Sequence, residues 1–325
     1  MLFLLLVFVL SIPSVQTRLG SYATSSINTT YGTAIKIEKV GLQLNGNMEL
    51  KNILIKDHYD APLISIAELN TSILSFAKVV DNKLKFGDID LCDLFFHIKT
   101  YKGEVDTNLD VFVAKFDDEN PSLKTNKFLL SSSEVRIHNS QFLLTDENLD
   151  NPMVLDFHTL NLSASDFLIL GVDVKASIKS LSFEDSRGAQ IQNLQTDFSY
   201  SLTQMKFEQL EIKSPSSLLL GQLQFDYDRK DFKDFLNKVK ISGFLKNSTL
   251  DLEELNVFYN EFGSNQKADL NTIFSGTLND LLLNKIDLIT NNNTSIVGEI
   301  QFKNLFKDTS ENFEMDGNFQ QIAST

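Results

Sequence analysis

The strongest constraint on this chain is an alternation of apolar and polar residues with a period of two. It is clearest over 219–227, where every second residue is apolar or small: Leu219, Gly221, Leu223, Phe225 and Tyr227. The positions between them include Gln222, Gln224 and Asp226. Because successive side chains of a strand point to opposite faces of a sheet, this run predicts a strand with one apolar and one largely polar face. Such strands are typical of antiparallel sheets with one face in water.

The same alternation recurs along the chain from Thr33 onward. Residues 40–44 and 48–55 alternate on either side of Asn45-Gly46, which favours a type I′ turn, so this segment predicts a hairpin. A one-residue slip in phase before Ile53 predicts a β-bulge. Further strands are predicted by the runs Leu109/Val111/Val113, Leu155/Phe157, Val172/Val174/Ala176/Ile178, Phe198/Tyr200/Leu202, Ile296/Gly298/Ile300/Phe302 and Phe313/Met315/Gly317/Phe319.

Helical periodicity is scarce. Residues 14–31 predict an amphipathic helix, because one helical face carries Val15, Leu19, Tyr22 and Ala23. A short helix is predicted over 229–240, and a weaker one over 63–80. The strand–helix alternation of a nucleotide-binding α/β fold is absent, and no glycine-rich loop follows a strand. We therefore expect an all-β protein, an elongated and twisted antiparallel sheet with an N-terminal helix.

A weak internal repeat lies towards the C-terminus. Residues 241–247 resemble 274–280, which begin 33 residues later, and both copies contain Ser-Gly-x-Leu. Residues 313–319 resemble the two copies more distantly. A strand pair cannot bury its apolar face alone and stacks on a neighbour, which accounts for a repeat of this kind. We expect an array of strands that continues beyond residue 325.

The N-terminus is apolar without interruption over residues 2–10. A helix that spans a bilayer needs about 20 apolar residues, and no basic residue precedes the run as in a signal peptide. We interpret 1–12 as a truncated transmembrane anchor, 13–31 as a connecting helix and 32–325 as the β-region; a buried core helix is the alternative for the first segment. The anchor residues are Leu2, Phe3, Leu4, Leu5, Leu6, Val7, Phe8, Val9 and Leu10.

The charge distribution excludes one class of function. The formal net charge is −14 and the lysines are scattered among acidic residues, whereas nucleic-acid binding requires a basic stripe. Cys92 is the single cysteine, and the four histidines lie far apart in the sequence. We therefore predict no catalytic residue, no metal site and no cofactor, and expect that the protein is not an enzyme.

The order of these features resembles a known family. The apolar N-terminus, the strand at 35–40, the segment 50–57 and the Ser-Gly-x-Leu units at Gly243 and Gly276 are similar to the N-terminal region of the TamB (translocation and assembly module) proteins of the AsmA-like family, in the form typical of Bacteroidota. The resemblance implies a single-pass anchor in the inner membrane, with the bulk of the chain in the periplasm as a curved sheet or taco-like groove. The apolar interior of that groove would carry phospholipid acyl chains towards the outer membrane.

The resemblance also implies a protein partner. Members of this family are tied to outer-membrane protein assembly through a barrel of the Omp85 class, which a C-terminal region lacking from this sequence would contact. Two functions therefore remain open: a lipid conduit with an open apolar groove, or a β-rich scaffold for outer-membrane protein translocation whose apolar face is a closed core. An outer-membrane barrel is disfavoured, because such a chain usually ends in an aromatic strand and this one ends in Ala-Ser-Thr.

The candidate lipid-contacting residues are the apolar members of the alternating runs. They are Leu42, Leu44, Leu109, Val111, Phe198, Tyr200, Leu219, Leu223, Phe225, Tyr227, Ile300 and Phe302.

Overall fold

The computed structural model describes residues 12–43, 45–73, 83–115, 129–257, 265–304 and 313–323, and most of them lie in strands. The helices are α1 (Pro13–Tyr31), α2 (Asn108–Ala114) and α3 (Phe235–Lys238), and the 3₁₀ segments are Arg229–Asp234 and Leu252–Val257. The strands are β1 (Ala34–Leu42), β2 (Asn47–Lys56), β3 (Pro62–Ile73), β4 (Lys83–Thr100), β5 (Leu129–Asp146), β6 (Met153–Leu170), β7 (Asp173–Asp185), β8 (Gln190–Ile191), β9 (Asn193–Tyr200), β10 (Gln204–Lys213), β11 (Leu218–Asp226), β12 (Lys240–Asp251), β13 (Lys267–Thr277), β14 (Asp280–Thr290), β15 (Ser295–Lys303) and β16 (Glu314–Ala323).

The strands form one mixed sheet of 16 strands whose order follows the chain from β1 to β16, with β8 paired to β7 beside this path. The described strands do not return on themselves, so the sheet is not closed. β4 and β5 pair in parallel, with Phe96 beside Phe142, so the expectation of a wholly antiparallel sheet is wrong here. A parallel pair requires a crossover connection, and α2 lies within the one between β4 and β5.

Tertiary contacts divide the chain into two compact units. The N-terminal unit consists of residues 1–171 and 183–186, and the C-terminal unit consists of residues 172–182 and 187–325. The first contains α1, α2 and strands β1 to β6, and the second contains β9 to β16 with most of β7.

Helix α1 confirms the helix predicted over 14–31, and it lies along the edge of β1. Gln16 donates from Nε2 to the Leu42 carbonyl at 2.6 Å and accepts from the Leu42 N–H at 2.8 Å. Asn28 forms the same pair of bonds with the backbone of Ile35, at 2.8 and 2.9 Å. An edge strand otherwise offers unpaired N–H and C=O groups to any other chain, so these amides protect the edge of the sheet.

Residues 108–114 form a helix, so the strand predicted from Leu109, Val111 and Val113 is wrong. The Thr107 side chain accepts from the Asp110 N–H at 3.1 Å, and Asp110 accepts from the Thr107 N–H at 3.2 Å. This reciprocal capping box satisfies two donors that a helix start leaves free, and it stabilises a helix over an alternating pattern of only six residues. Thr-x-x-Asp was the signal in the sequence that favoured a helix.

Two further expectations in the N-terminal unit need correction. The weak helix predicted over 63–80 is wrong where it is described, because β3 pairs with β2 on one side and β4 on the other. The phase slip at Ile53 does not come from an inserted residue, since β1 and β2 stay in register across it. A left-handed residue, Asn52 with a φ of 53°, lies in β2 at this point.

Left-handed residues of this kind interrupt many strands near their middle. They are Asn52, Asp93, Asn139, Thr159, Asp166, Gln209 and Asn247. Asn and Asp adopt this conformation more readily than other non-glycine residues. At Asn139, Thr159, Gln209 and Asn247 the register with a neighbouring strand shifts, so these four mark bulges, which bend a strand and increase its twist.

A buried hydroxyl follows two of these residues and replaces a missing ladder bond. Ser140 accepts from the Leu94 N–H at 3.0 Å, and Ser248 accepts from the Leu220 N–H at 2.9 Å. Their exposed fractions are 3% and 1%. Water therefore cannot take over either bond, and each hydroxyl is needed where the regular ladder fails.

Replacing Ser248 by Ala is expected to lower the free energy of unfolding by about 1–3 kcal/mol, because the buried Leu220 N–H loses its acceptor. Urea unfolding followed by hydrogen exchange in β11 and β12 measures this loss. Ser242→Ala, on the largely polar face of β12, serves as the control, with an expected change within about 0.5 kcal/mol. Equal losses for the two variants would contradict the proposed role of the Ser248 hydroxyl.

Candidate functional site

Two unbroken rows of apolar and glycine residues cross the C-terminal unit, each member paired with the next on the adjacent strand. The first row, from β7 to β16, is Ala176, Phe198, Phe207, Leu223, Gly243, Phe274, Leu283, Ile300 and Gly317. The second is Val174, Tyr200, Met205, Phe225, Ile241, Gly276, Leu281, Phe302 and Met315. The rows are two residues apart on each strand and so share one face, which is termed the apolar ladder.

The row between these two belongs to the opposite face and is polar with one exception, Leu282. Its members are Lys175, Ser199, Lys206, Gln224, Ser242, Ser275, Leu282, Gln301 and Asp316. The two faces of the C-terminal unit therefore differ sharply in polarity along this part of the strands.

Aromatic rings meet along the ladder. The Phe207 ring centroid lies 5.2 Å from that of Phe198 and 6.3 Å from that of Phe225, within the range favoured by aromatic pairs. A Cβ added to Gly243 would come within 2.8 Å of the Phe274 ring and 2.2 Å of a neighbouring backbone carbonyl. Gly243, in the first copy of the repeat, thus leaves room for the side chain of Phe274 in the second copy.

The ladder is not buried as a domain core is. Ile300 is buried, Met315 and Gly317 are exposed, and the other members are half-buried. In a β-sandwich a second sheet packs on such a face and removes it from water. Here most of the apolar side chains are shielded by their neighbours and still keep accessible surface.

Residues 229–238 pack on the ladder at β11, the fourth of its nine strands. The Phe232 ring lies 4.6 Å from that of Tyr227, and the Phe235 ring lies 6.0 Å from that of Phe225. The Asn279 N–H donates to the Leu236 carbonyl at 2.9 Å and holds the segment in place. The helix predicted over 229–240 is thus confirmed in part, as a 3₁₀ turn followed by the four residues of α3.

The structure brings most of the C-terminal candidates together. Phe198, Tyr200, Leu223, Phe225, Ile300 and Phe302 belong to the ladder. Leu219 extends the same face of β11 and pairs with Ile212. Tyr227 follows β11, with 6% of its surface exposed, and its hydroxyl donates to the Ser201 carbonyl at 3.0 Å.

The N-terminal candidates do not form such a surface. Leu42 ends β1 and is exposed, and Leu109 and Val111 lie on α2 rather than on a strand. Leu44 and the anchor residues 2–10 lie outside the described residues. Among the residues that the structure describes, no helix has the length and apolar character needed to cross a membrane.

The candidate residues named from the sequence include six of the eighteen ladder residues. Met205 and Phe207 alternate with charged residues and were detectable in principle. Leu281 and Leu283 were not, because Leu282 between them is also apolar and only strand pairing shows which face each one occupies.

The N-terminal unit has an apolar row of its own, and sequence reasoning missed it. It runs through Ile35, Ile55, Ile64, Phe96, Phe142 and Phe157 as direct cross-strand partners. The Phe157 ring then lies against that of Phe183, with a centroid distance of 4.2 Å and a tilt of 31° between the rings. This row crosses the parallel β4–β5 pair, so the change in strand direction does not interrupt it.

A buried polar cluster lies around Asp57 in the N-terminal unit. Asp57 is 5% exposed and accepts from the Tyr101 hydroxyl at 2.7 Å and from Asn108 Nδ2 at 3.2 Å. It also accepts from the N–H groups of Tyr59 and Ala61, at 2.9 and 3.0 Å. Burial raises the pKa of Asp57, but these bonds outweigh burial and hold it below its ordinary value. The cluster ties the β2–β3 turn to α2, which is a structural role.

The comparisons with known proteins add no assignment. No family model matches the chain, and no curated protein is similar to it in sequence.

Proposed function

We propose that the apolar ladder binds phospholipid acyl chains and that the protein is a bridge-like lipid carrier of the AsmA-like type. In this proposal residues 2–10 hold it in the inner membrane, and the β-region extends through the periplasm and passes acyl chains along an apolar groove towards the outer membrane. One observation carries the proposal: a continuous, half-buried apolar face that crosses nine strands opposite a polar row.

The dimensions suit this ligand. Strands lie about 4.8 Å apart, so the ladder extends about 38 Å across its nine strands. The hydrocarbon core of a bilayer is about 30 Å thick and holds two leaflets, so one acyl chain is about 15 Å long. The ladder can therefore hold an acyl chain at more than one position along its length.

The chemistry of the face favours movement over retention. Burial of a methylene contributes about 0.8 kcal/mol and has no preferred direction. The ladder carries no charged side chain that would fix a headgroup at one place. An acyl chain thus gains similar stabilisation at successive positions, as a carrier requires and a storage site does not.

A photo-crosslinking amino acid at position 225 is expected to capture phospholipid, whereas the same probe at position 224 is not. Phe225 belongs to the ladder, and Gln224 is its neighbour on the polar face. The full chain is labelled in inner-membrane preparations, and the products are identified by mass spectrometry. Equal labelling at both positions, or capture of a separate polypeptide and no lipid at position 225, would contradict the lipid proposal; the second outcome would favour the scaffold for outer-membrane proteins.

A further inference from the structure

Helix α1 has the reverse of the usual polarity for a helix packed on a sheet. The residues that face β1 are polar or small, and Gln16 and Thr24 are 8% and 9% exposed. Gly20 lies so close that an added Cβ would be 2.4 Å from a Val40 methyl. Two of its large apolar side chains lie on the other side of the helix, where Leu19 is 53% and Tyr22 is 77% exposed. A helix surrounded by water normally buries these side chains against the protein.

The outward side of α1 carries one charged group, and the long side chain of that residue can keep its charge in water while its stem lies against lipid. Arg18 is the single charged residue of 12–31. The hydroxyls of Ser21 and Thr29 donate to carbonyls four residues earlier, at 3.0 and 2.9 Å. Moving a hydroxyl out of water costs much less free energy when it is already hydrogen-bonded within its own helix than when it is unpaired.

We infer that the Leu19–Tyr22 side of α1 docks on the surface of a lipid bilayer, with β1 held directly beside the membrane by Gln16 and Asn28. The apolar run 2–10 ends three residues before α1 begins, so the helix starts where the chain would leave the bilayer. Tyrosine is enriched at membrane–water interfaces, and helices that lie in this plane bury one apolar side among the headgroups. The inference rests on the membrane location in the proposed function, but it does not require the ladder to bind lipid.

The chain contains no tryptophan, so a single substitution provides a fluorescent reporter. We expect the tryptophan of Tyr22→Trp, in the full chain, to shift its emission to shorter wavelength on vesicles of phosphatidylethanolamine and phosphatidylglycerol. Brominated acyl chains in those vesicles are expected to quench it. Tyr59→Trp is the matched control, because Tyr59 is 59% exposed and lies in the β2–β3 turn rather than on α1. Its emission is expected to stay unchanged.

Three results would overturn the inference: failure of Tyr22→Trp to sediment with vesicles, an unquenched tryptophan at position 22 in vesicle-bound protein, or equal quenching at positions 22 and 59. The crosslinking at position 225 separates this inference from the proposed function. Quenching at position 22 without lipid capture at position 225 would support the membrane contact of α1 and contradict lipid transport along the ladder. Lipid capture at position 225 without quenching at position 22 would contradict the membrane contact of α1 and leave the proposed function supported.

Discussion

Leu283→Asp is expected to reduce phospholipid binding at least tenfold while the C-terminal unit stays folded. Leu283 is a half-buried member of the ladder, between Phe274 and Ile300. A carboxylate there would have to lose its water beneath any acyl chain that passed, which costs several kcal/mol. Each 1.4 kcal/mol corresponds to a tenfold change in affinity. Binding of a fluorescent phosphatidylethanolamine to the purified full chain measures the effect.

Leu282→Asp is the matched control for this experiment. Leu282 is the same residue type, is also half-buried, and lies on the opposite face between Ser275 and Gln301. We expect it to bind lipid as the native chain does. Equal loss in both variants would contradict the assignment of lipid to the ladder, and unfolding of Leu283→Asp alone would indicate that the face is a closed core.

Asp57→Asn is expected to lower the free energy of unfolding of the N-terminal unit by about 3 kcal/mol at pH 7, because hydrogen bonds to a buried charge contribute about 1.5–3 kcal/mol each. The Tyr101 hydroxyl and the Asn108 amide would then face a neutral group that is itself partly a donor. Urea unfolding followed by hydrogen exchange in β4 and α2 measures the loss. Asp60→Asn, in the same turn with its side chain 85% exposed, is expected to change stability by less than about 0.5 kcal/mol.

The effect of Asp57 should depend on pH in one direction. Because the folded protein lowers the pKa of this carboxyl, its ionised form stabilises the fold above the ordinary value of about 3.9. That contribution is lost as the pH falls through the lowered pKa, where the protonated carboxyl resembles an amide. The difference between the native chain and Asp57→Asn should therefore be constant above about pH 5 and shrink in more acidic solution. A difference that stayed constant down to pH 2 would contradict the role of the charge.

Local patterns were reliable where one pattern acted alone. The alternation at 219–227 predicted β11 and its two faces, and the helical spacing at 14–31 predicted α1. Where two local signals competed, the shorter one was missed: the capping box of Thr107 and Asp110 outweighed an alternation of six residues. Left-handed Asn and Asp residues inside strands were missed as well, because no periodicity marks them.

The amino-acid sequence by itself determined that this chain forms strands with one apolar and one largely polar face, because a period of two is a local property of the backbone. Only the tertiary structure decided which apolar residues join into a continuous surface. Leu281, Leu282 and Leu283 are identical in sequence terms, and their partners across the sheet place the first and third on the ladder and the second opposite. Strand pairing also set β4 beside β5 in parallel, and side-chain bonds to the backbone of β1 oriented the polar side of α1. These choices depend on hydrogen bonds between segments far apart in the chain, which no local pattern encodes.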